Sequence, residues 1–100
     1  MSGQIRVLVY QVAEDPAAVH HAYHKVSRRM RSVPGLIGNE LLGSVLDPTG
    51  FVVVSRWTDA TAFWTWEQGV EHRDTTAPLR PYRDARRDAG FGIYQVLADY

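Results

Sequence analysis

Apolar positions along the chain follow two rhythms, and the switches between them predict the element order. Residues 4–12, QIRVLVYQV, alternate as a strand, with Ile5, Val7 and Val9 on one side and Leu8, Tyr10 and Val12 on the other. Asp15-Pro16 then opens a helix, with Asp15 as N-cap and Pro16 at the first helical position, where its missing N–H costs nothing. Val19, Tyr23, Val26 and Met30 recur at helical spacing and predict the sheet-facing stripe of a helix reaching about Ser32. His20, His24, Ser27 and Arg31 form its flank. Val33-Pro34-Gly35 ends that helix, because proline disfavours helical backbone at the residue before it. Residues 36–46 predict a second strand with Gly38 and Gly43 as bulge or kink points. Asp47-Pro48-Thr49-Gly50 reads as the turn that joins it, as a hairpin, to a third strand closed by Trp57.

Thr58 or Asp59 caps a second helix, which runs to about Gln68 and stops at Gly69, read as a left-handed terminator. Residues 70–90 carry little periodicity. Glu71 to Ala77 suits a helical turn or two, Pro78 and Pro81 interrupt it, and Arg83 to Asp88 is a charged run in which Asp84 and Asp88 read as surface ion-pair partners. Residues 91–98 predict the last strand. The order β-α-β-β-α-β predicts an α+β, ferredoxin-like domain over residues 1–100, a four-stranded antiparallel sheet with both helices on one face. The free face of such a sheet should be polar, yet strands one, three and four are apolar on both sides. Leaving four or five of those side chains in water would forgo roughly 1.5–3 kcal/mol each. A second copy of the chain is therefore expected to cover them, giving a two-fold homodimer.

Composition narrows the partners. At 100 residues and 45% apolar content, the chain suits one globular domain. Eleven acids balance eleven Lys and Arg, so no basic field points to nucleic acid. No apolar run nears the ~20 residues a membrane helix needs. Met1-Ser2-Gly3-Gln4 leads straight into the first strand without a signal peptide, and there are no cysteines, so a cytoplasmic protein is expected.

The candidate chemistry gathers around aromatic residues. Trp57, Trp64 and Trp66 lie within ten residues of one another, and His72 follows. Phe51, Val53, Ser55 and Trp57 share one strand face. Phe63 and Trp66 on the second helix and Tyr23 on the first would close over it, with His24 leaning across the helix edge. Asn39 and Arg80 would supply polar anchors. Such a lining suits a planar aromatic ligand with a few hydrogen-bonding oxygens; the plainer alternative is that large aromatics fill a small core. His20-His21-x-x-His24 lacks third and fourth ligands, so no metal is expected. No glycine pattern supports a phosphate site, and the serines lack the elbow of a hydrolase nucleophile.

The strand FVVVSRW, then T-D-A-T-A-F-W-T-W and V-E-H-R, preceded by V-P-G-L, resembles the antibiotic biosynthesis monooxygenase family over Ile5 to Leu97. The resemblance implies a dimeric α+β barrel with a ferredoxin-like protomer. One branch of that family oxidises aromatic polyketides of the anthrone or hydroquinone type with O2 and without metal or bound cofactor. Its pocket uses a strand Asn and Trp, a helix Tyr and an Arg. Here Trp57 matches the Trp, Val53 stands at the Asn, Phe63 at the Tyr, and Arg80 near the Arg. A second branch degrades haem; Trp66 matches its helix Trp, but the first strand has no Asn and the haem-ligand position falls near Thr76. A third branch oxidises or isomerises quinols and small metabolites, and its His after the second helix matches His72. Ring opening of a polycyclic substrate with reduced flavin supplied from outside is a related alternative.

On this reading the protein is a cofactor-independent monooxygenase of antibiotic biosynthesis acting on a polycyclic aromatic. His72 takes a proton, Asn39 or Arg80 holds the oxyanion, and Trp66, Trp57, Phe63 and Tyr23 enclose the rings beside Val53 and His24. The rivals are a haem binder and a non-catalytic ligand-binding dimer of the same fold.

Overall fold

The computed structural model describes residues 3–87 and 90–100. Its elements are β1 (Ile5–Val12), α1 (Pro16–Met30), β2 (Leu36–Gly43), β3 (Gly50–Trp57), α2 (Ala60–Glu67), a short α3 (His72–Thr76), a 3-10 helix over Ala77–Tyr82, and β4 (Phe91–Gln95). The four strands form one antiparallel sheet in the order β2-β3-β1-β4. This is the α+β, ferredoxin-like arrangement that the alternating pattern predicts.

Local chemistry explains the boundaries. Asp15 accepts from the Ala17 N–H at 3.0 Å, and Asp59 accepts from the Ala62 N–H at 2.8 Å, so both main helices carry side-chain N-caps. Gly50 N–H donates to the Asp47 carbonyl, and Asp47 Oδ1 accepts from Thr49 N and Oγ1, which closes the hairpin turn. The second strand ends at Gly43, earlier than expected, because the Ser44 hydroxyl takes the Asp47 N–H and draws residues 44–46 into the loop. A register shift between Leu36 and Gly38 marks a bulge there. The last strand is shorter than the sequence suggests, pairing with β1 only as far as Gln95.

The left-handed glycine at a helix end is Gly35, not Gly69. Gly35 has φ 84°, and a Cβ there would run into the Ala62 methyl. Its carbonyl accepts from Thr58 N–H at 2.9 Å, which docks the end of α1 against the start of α2. Gly69 instead donates its N–H to Trp66 O at 3.0 Å without a positive φ.

The core lies between sheet and helices. Ile5, Val7 and Trp57 from the sheet meet Val26 and Met30 of α1 and Phe63 of α2. Register assigns the two sheet faces: Ile5 opposes Trp57, Val7 opposes Ser55, Val9 opposes Val53 and Gln11 opposes Phe51 on the helix side. The other side carries Leu8, Tyr10 and Val12 with Val52 and Val54, flanked by Leu42, 42% exposed, and Tyr94, 57% exposed. Among the described residues, no helix covers that face.

Asp84 makes the expected ion pairs, with Arg86 and Arg87, but from a buried position and not from the surface. It is 5% exposed, and Arg86 reaches it with Nε and NH2 at 2.9 Å each. Those charge-assisted bonds hold its carboxyl down to about 2. Asp88, its expected companion, lies outside the described residues.

Candidate active site

Between the sheet and the helices is a cavity of about 470 Å³, within the range of small-molecule sites. Its floor is the helix-facing side of the sheet, including Val7, Val9 and Val53; α1 and α2 form two walls, and the stretch from His72 to Arg83 forms another. Sheet alternation and helical spacing thus deliver side chains from all four strands, the three α-helices and the 3-10 helix to one space.

Of the residues singled out in the sequence, Tyr23, Asn39, Val53, Phe63, Trp66, His72 and Arg80 all line this cavity. Four do not reach it: Phe51, Trp64, which is 42% exposed, His24 and Trp57. His24 lies exposed on the outer side of α1, its ring against Tyr23 at 5.3 Å between centroids. One residue is a rotation of roughly 100° on a helix, which carries His24 past the edge that Tyr23 occupies. Trp57 is 0% exposed and stands behind the wall, packed on Phe63 and Trp66, each 5.4 Å away between centroids. Its indole Nε1 donates to Ser55 Oγ at 2.9 Å. Trp57 therefore supports the aromatic wall and leaves contact with the space to Phe63 and Trp66. The buried stripe of α1 is Val19, Ala22, Val26 and Met30, which puts Tyr23 at its edge.

The cavity has two polar centres. At the first, Asn39 Oδ1 accepts from Tyr23 OH at 2.5 Å and from Ser27 Oγ at 3.1 Å. Two hydroxyl donors on one oxygen fix which end of the amide is which, and they leave the Asn39 NH2 as a donor. Ser27, expected only as part of a solvated flank, is thus part of the site.

The second centre is His72, at the start of α3. Its imidazole meets Trp66 edge to face, 4.5 Å between centroids at 87°. Burial pushes its pKa below the ordinary histidine value; Glu67 opposes this, and Arg80 and Arg83 reinforce it. The lowering favours the neutral imidazole, the form that accepts a proton. Arg80 lies alongside, with its NH2 on Thr76 Oγ1 at 3.2 Å, and Thr76 Oγ1 in turn donates to the His72 carbonyl at 2.9 Å. Arg80 Nε is buried without a hydrogen-bond partner among the described residues.

The histidine set at His20, His21 and His24 is exposed along α1. Among the described residues no group of three His, Cys, Asp or Glu is arranged to hold a metal ion. No described helix is long and apolar enough to cross a membrane.

With this geometry in place, the antibiotic biosynthesis monooxygenase family matches residues 4–78. The chain belongs to that family. Among curated relatives, SchA of Streptomyces halstedii is 38% identical over 83 residues, covering 83% of this chain and 22% of SchA. The 42.8 kDa protein in the whiE locus of Streptomyces coelicolor is 36% identical over 58 residues, 58% of this chain and 15% of that protein. The chain therefore spans about a fifth or less of the length of these relatives. Family likeness extends to solved structures. A variant of SnoaB, a cofactor-independent oxygenase from Streptomyces nogalater, superposes with a TM-score of 0.80 at 16% identity, over 97% of this chain and 96% of that one. Rv0793 from Mycobacterium tuberculosis gives 0.71 at 14% identity, over 96% and 97%. At such identities the superpositions show the fold that this family shares.

Proposed function

We propose that the protein is a small monooxygenase of antibiotic biosynthesis that uses O2 to oxidise a polycyclic aromatic polyketide of the anthrone or hydroquinone type. The observation that carries this reading is one aromatic-walled cavity holding both a partly buried imidazole and an amide whose oxygen is taken up by Tyr23 and Ser27, leaving its NH2 to donate. Membership of the antibiotic biosynthesis monooxygenase family and likeness to SchA and the whiE-locus protein of Streptomyces support it.

In the proposed reaction the rings lie against Phe63 and Trp66, with Val53 beneath and Tyr23 at the α1 edge. His72 removes a proton from the benzylic CH2 of an anthrone. The electrons of the broken C–H bond delocalise onto the ring oxygen, where the Asn39 NH2 and the Arg80 guanidinium stabilise the developing oxyanion. The electron-rich anion reduces O2 directly and a C–O bond forms at the former CH2. The peroxide takes back the proton held on His72, and the resulting hydroperoxide loses its remaining C–H hydrogen and its terminal OH together as one water to leave a carbonyl. One CH2 and one O2 become one C=O and one H2O, so atoms and electrons balance with no cofactor and no external reductant.

We further propose a homodimer, in which the uncovered sheet faces of two protomers pack together. The paired sheets would hold the floor of each cavity rigid while leaving both mouths on the helix side.

The deciding experiment is oxygen uptake by the purified protein with an anthrone, quinone formation being followed by absorbance. The reading expects one O2 consumed per quinone formed, without added flavin or metal. Binding without any turnover would leave the non-catalytic rival in its place.

A further inference from the structure

Charge is unevenly placed around the cavity. Acidic residues balance Lys and Arg over the whole chain, at 11 each. The charged side chains that line this space are Arg73, Arg80 and Arg83 against Glu67 alone. All three arginines belong to the wall formed by residues 72–83, and none of them forms an ion pair among the described residues. Asp84, next to Arg83 in the chain, is taken up by Arg86 and Arg87 instead.

Arg80 is partly buried and tied to Thr76, whereas Arg83 is exposed. The backbone of Arg83 is bridged to Gln11 of β1, and its side chain runs past Gly90, where a Cβ would come within 3.1 Å of Nε. Phe91, the next residue after Gly90, also lines the cavity. Arg83 is thus held at the rim, between the wall and the start of β4. Its guanidinium makes no hydrogen bond among the described residues, so its N–H donors are open to a ligand. The positive charge is felt inside the space: after burial, Arg80 and Arg83 lower the His72 pKa against the opposing pull of Glu67. A planar guanidinium matches a carboxylate in charge and in shape, and can bind it through two parallel hydrogen bonds.

Resting on the reading that this cavity holds an aromatic ligand, we infer that Arg83, with Arg73 on the same wall, binds a carboxylate carried by that ligand, so that the site selects aromatic acids over their neutral counterparts. The rings lie against Phe63 and Trp66, and the acid group points to the rim. Arg80, the less exposed of the pair, remains the donor to the ring oxygen. Apolar walls alone cannot tell an acid from a neutral group of the same shape, and they favour the neutral one because it is cheaper to desolvate. A preference for the acid therefore has to come from the arginines.

The test is calorimetric titration of the whole protein at neutral pH with 2-naphthoate and with 2-naphthamide, its uncharged counterpart of nearly the same shape. Wild type should bind the acid about fivefold more tightly or better, the upper range for one solvent-accessible ion pair. Raising the salt from about 0.1 M to about 1 M shortens the screening length from about 10 Å to about 3 Å and should shrink that ratio. In the double variant Arg73→Gln, Arg83→Gln the ratio should fall toward one through loss of 2-naphthoate affinity. Arg28→Gln, which removes an exposed charge of α1 outside the cavity, should keep the wild-type ratio. No preference in wild type, an unchanged preference in the double variant, or an equal loss in Arg28→Gln overturns the assignment while leaving the aromatic site in place. Failure of wild type to bind either compound overturns the aromatic site as well. Should the double variant not fold, the salt dependence of the wild-type ratio decides.

Discussion

Asn39→Asp keeps the oxygen that Tyr23 and Ser27 use and removes the N–H donor of the amide, so it separates the residue's part in the fold from its part in the reaction. In Asn39→Ala both hydroxyls lose their shared acceptor. Each such bond is worth about 0.5–1.5 kcal/mol net. The two together come to roughly 1–3 kcal/mol, reduced toward the lower end because Tyr23 OH also lies 3.3 Å from the Asn39 carbonyl and keeps a partner. At about 4–8 °C per kcal/mol for a domain of this size, Asn39→Ala should melt several degrees below wild type, while Asn39→Asp should melt close to it. Activity should follow a different order. Removal of one oxyanion donor slows comparable reactions about 10²–10³-fold, and the carboxylate of Asn39→Asp adds repulsion to that loss. Oxygen uptake with an anthrone should therefore fall at least about 100-fold in Asn39→Asp despite an intact fold. A properly folded Asn39→Asp protein working within about tenfold of wild type would refute the oxyanion role.

Three further outcomes follow from the same geometry. Because burial and the neighbouring arginines lower the His72 pKa against the pull of Glu67, the wild-type rate should rise with pH through a midpoint below the ordinary histidine value, and His72→Gln should lose both the rise and most of the rate. By the same sign, the stability that His72 contributes is full above the ordinary histidine pKa and is lost as pH falls through the lowered one, which thermal melts across that window should record. Leu8→Glu puts a charge at the centre of the uncovered sheet face and should convert a dimer to a monomer in light scattering, with the secondary structure unchanged. Gly35→Ala must hold a left-handed backbone and push its methyl against Ala62, so urea unfolding should show a loss of about 1–3 kcal/mol.

The elements were legible because each has a local cause: strand alternation from Ile5 to Val9, aspartates at both helix starts, and a Pro-Thr-Gly turn behind Asp47. The site was legible only in part. Sequence spacing brings Tyr23 and His24 equally near the helix edge, and one residue of rotation decides between them. Trp57 and Trp66 carry the same side chain, but Trp57 pairs with Ile5 and Leu36 at the sheet end beneath α2, which seals it in. Gln11 has a signal that alternation alone could have supplied, since it continues the inward series Ile5, Val7 and Val9. A glutamine near the end of a strand ordinarily reads as exposed, and the bridge to Arg83 that buries it is a non-local pairing with no local signature. The same is true of Ser27, whose polarity suggests solvent until Asn39 arrives from β2.

One wall of the chamber differs in kind from the others. The sheet, α1 and α2 form a regular frame, whereas residues 72–83 are a five-residue helix followed by a 3-10 helix with two prolines. That stretch touches the frame through few polar ties, among them Arg29 NH1 on the Asp74 carbonyl at 3.1 Å and the bridge from Gln11 to Arg83. It therefore behaves as an exchangeable panel: altering its length or its side chains would resize and recharge the chamber while the hydrogen-bonded scaffold stays as it is. A library confined to this stretch, with His72 and Arg80 kept, would test that expectation by the range of aromatic ligands bound.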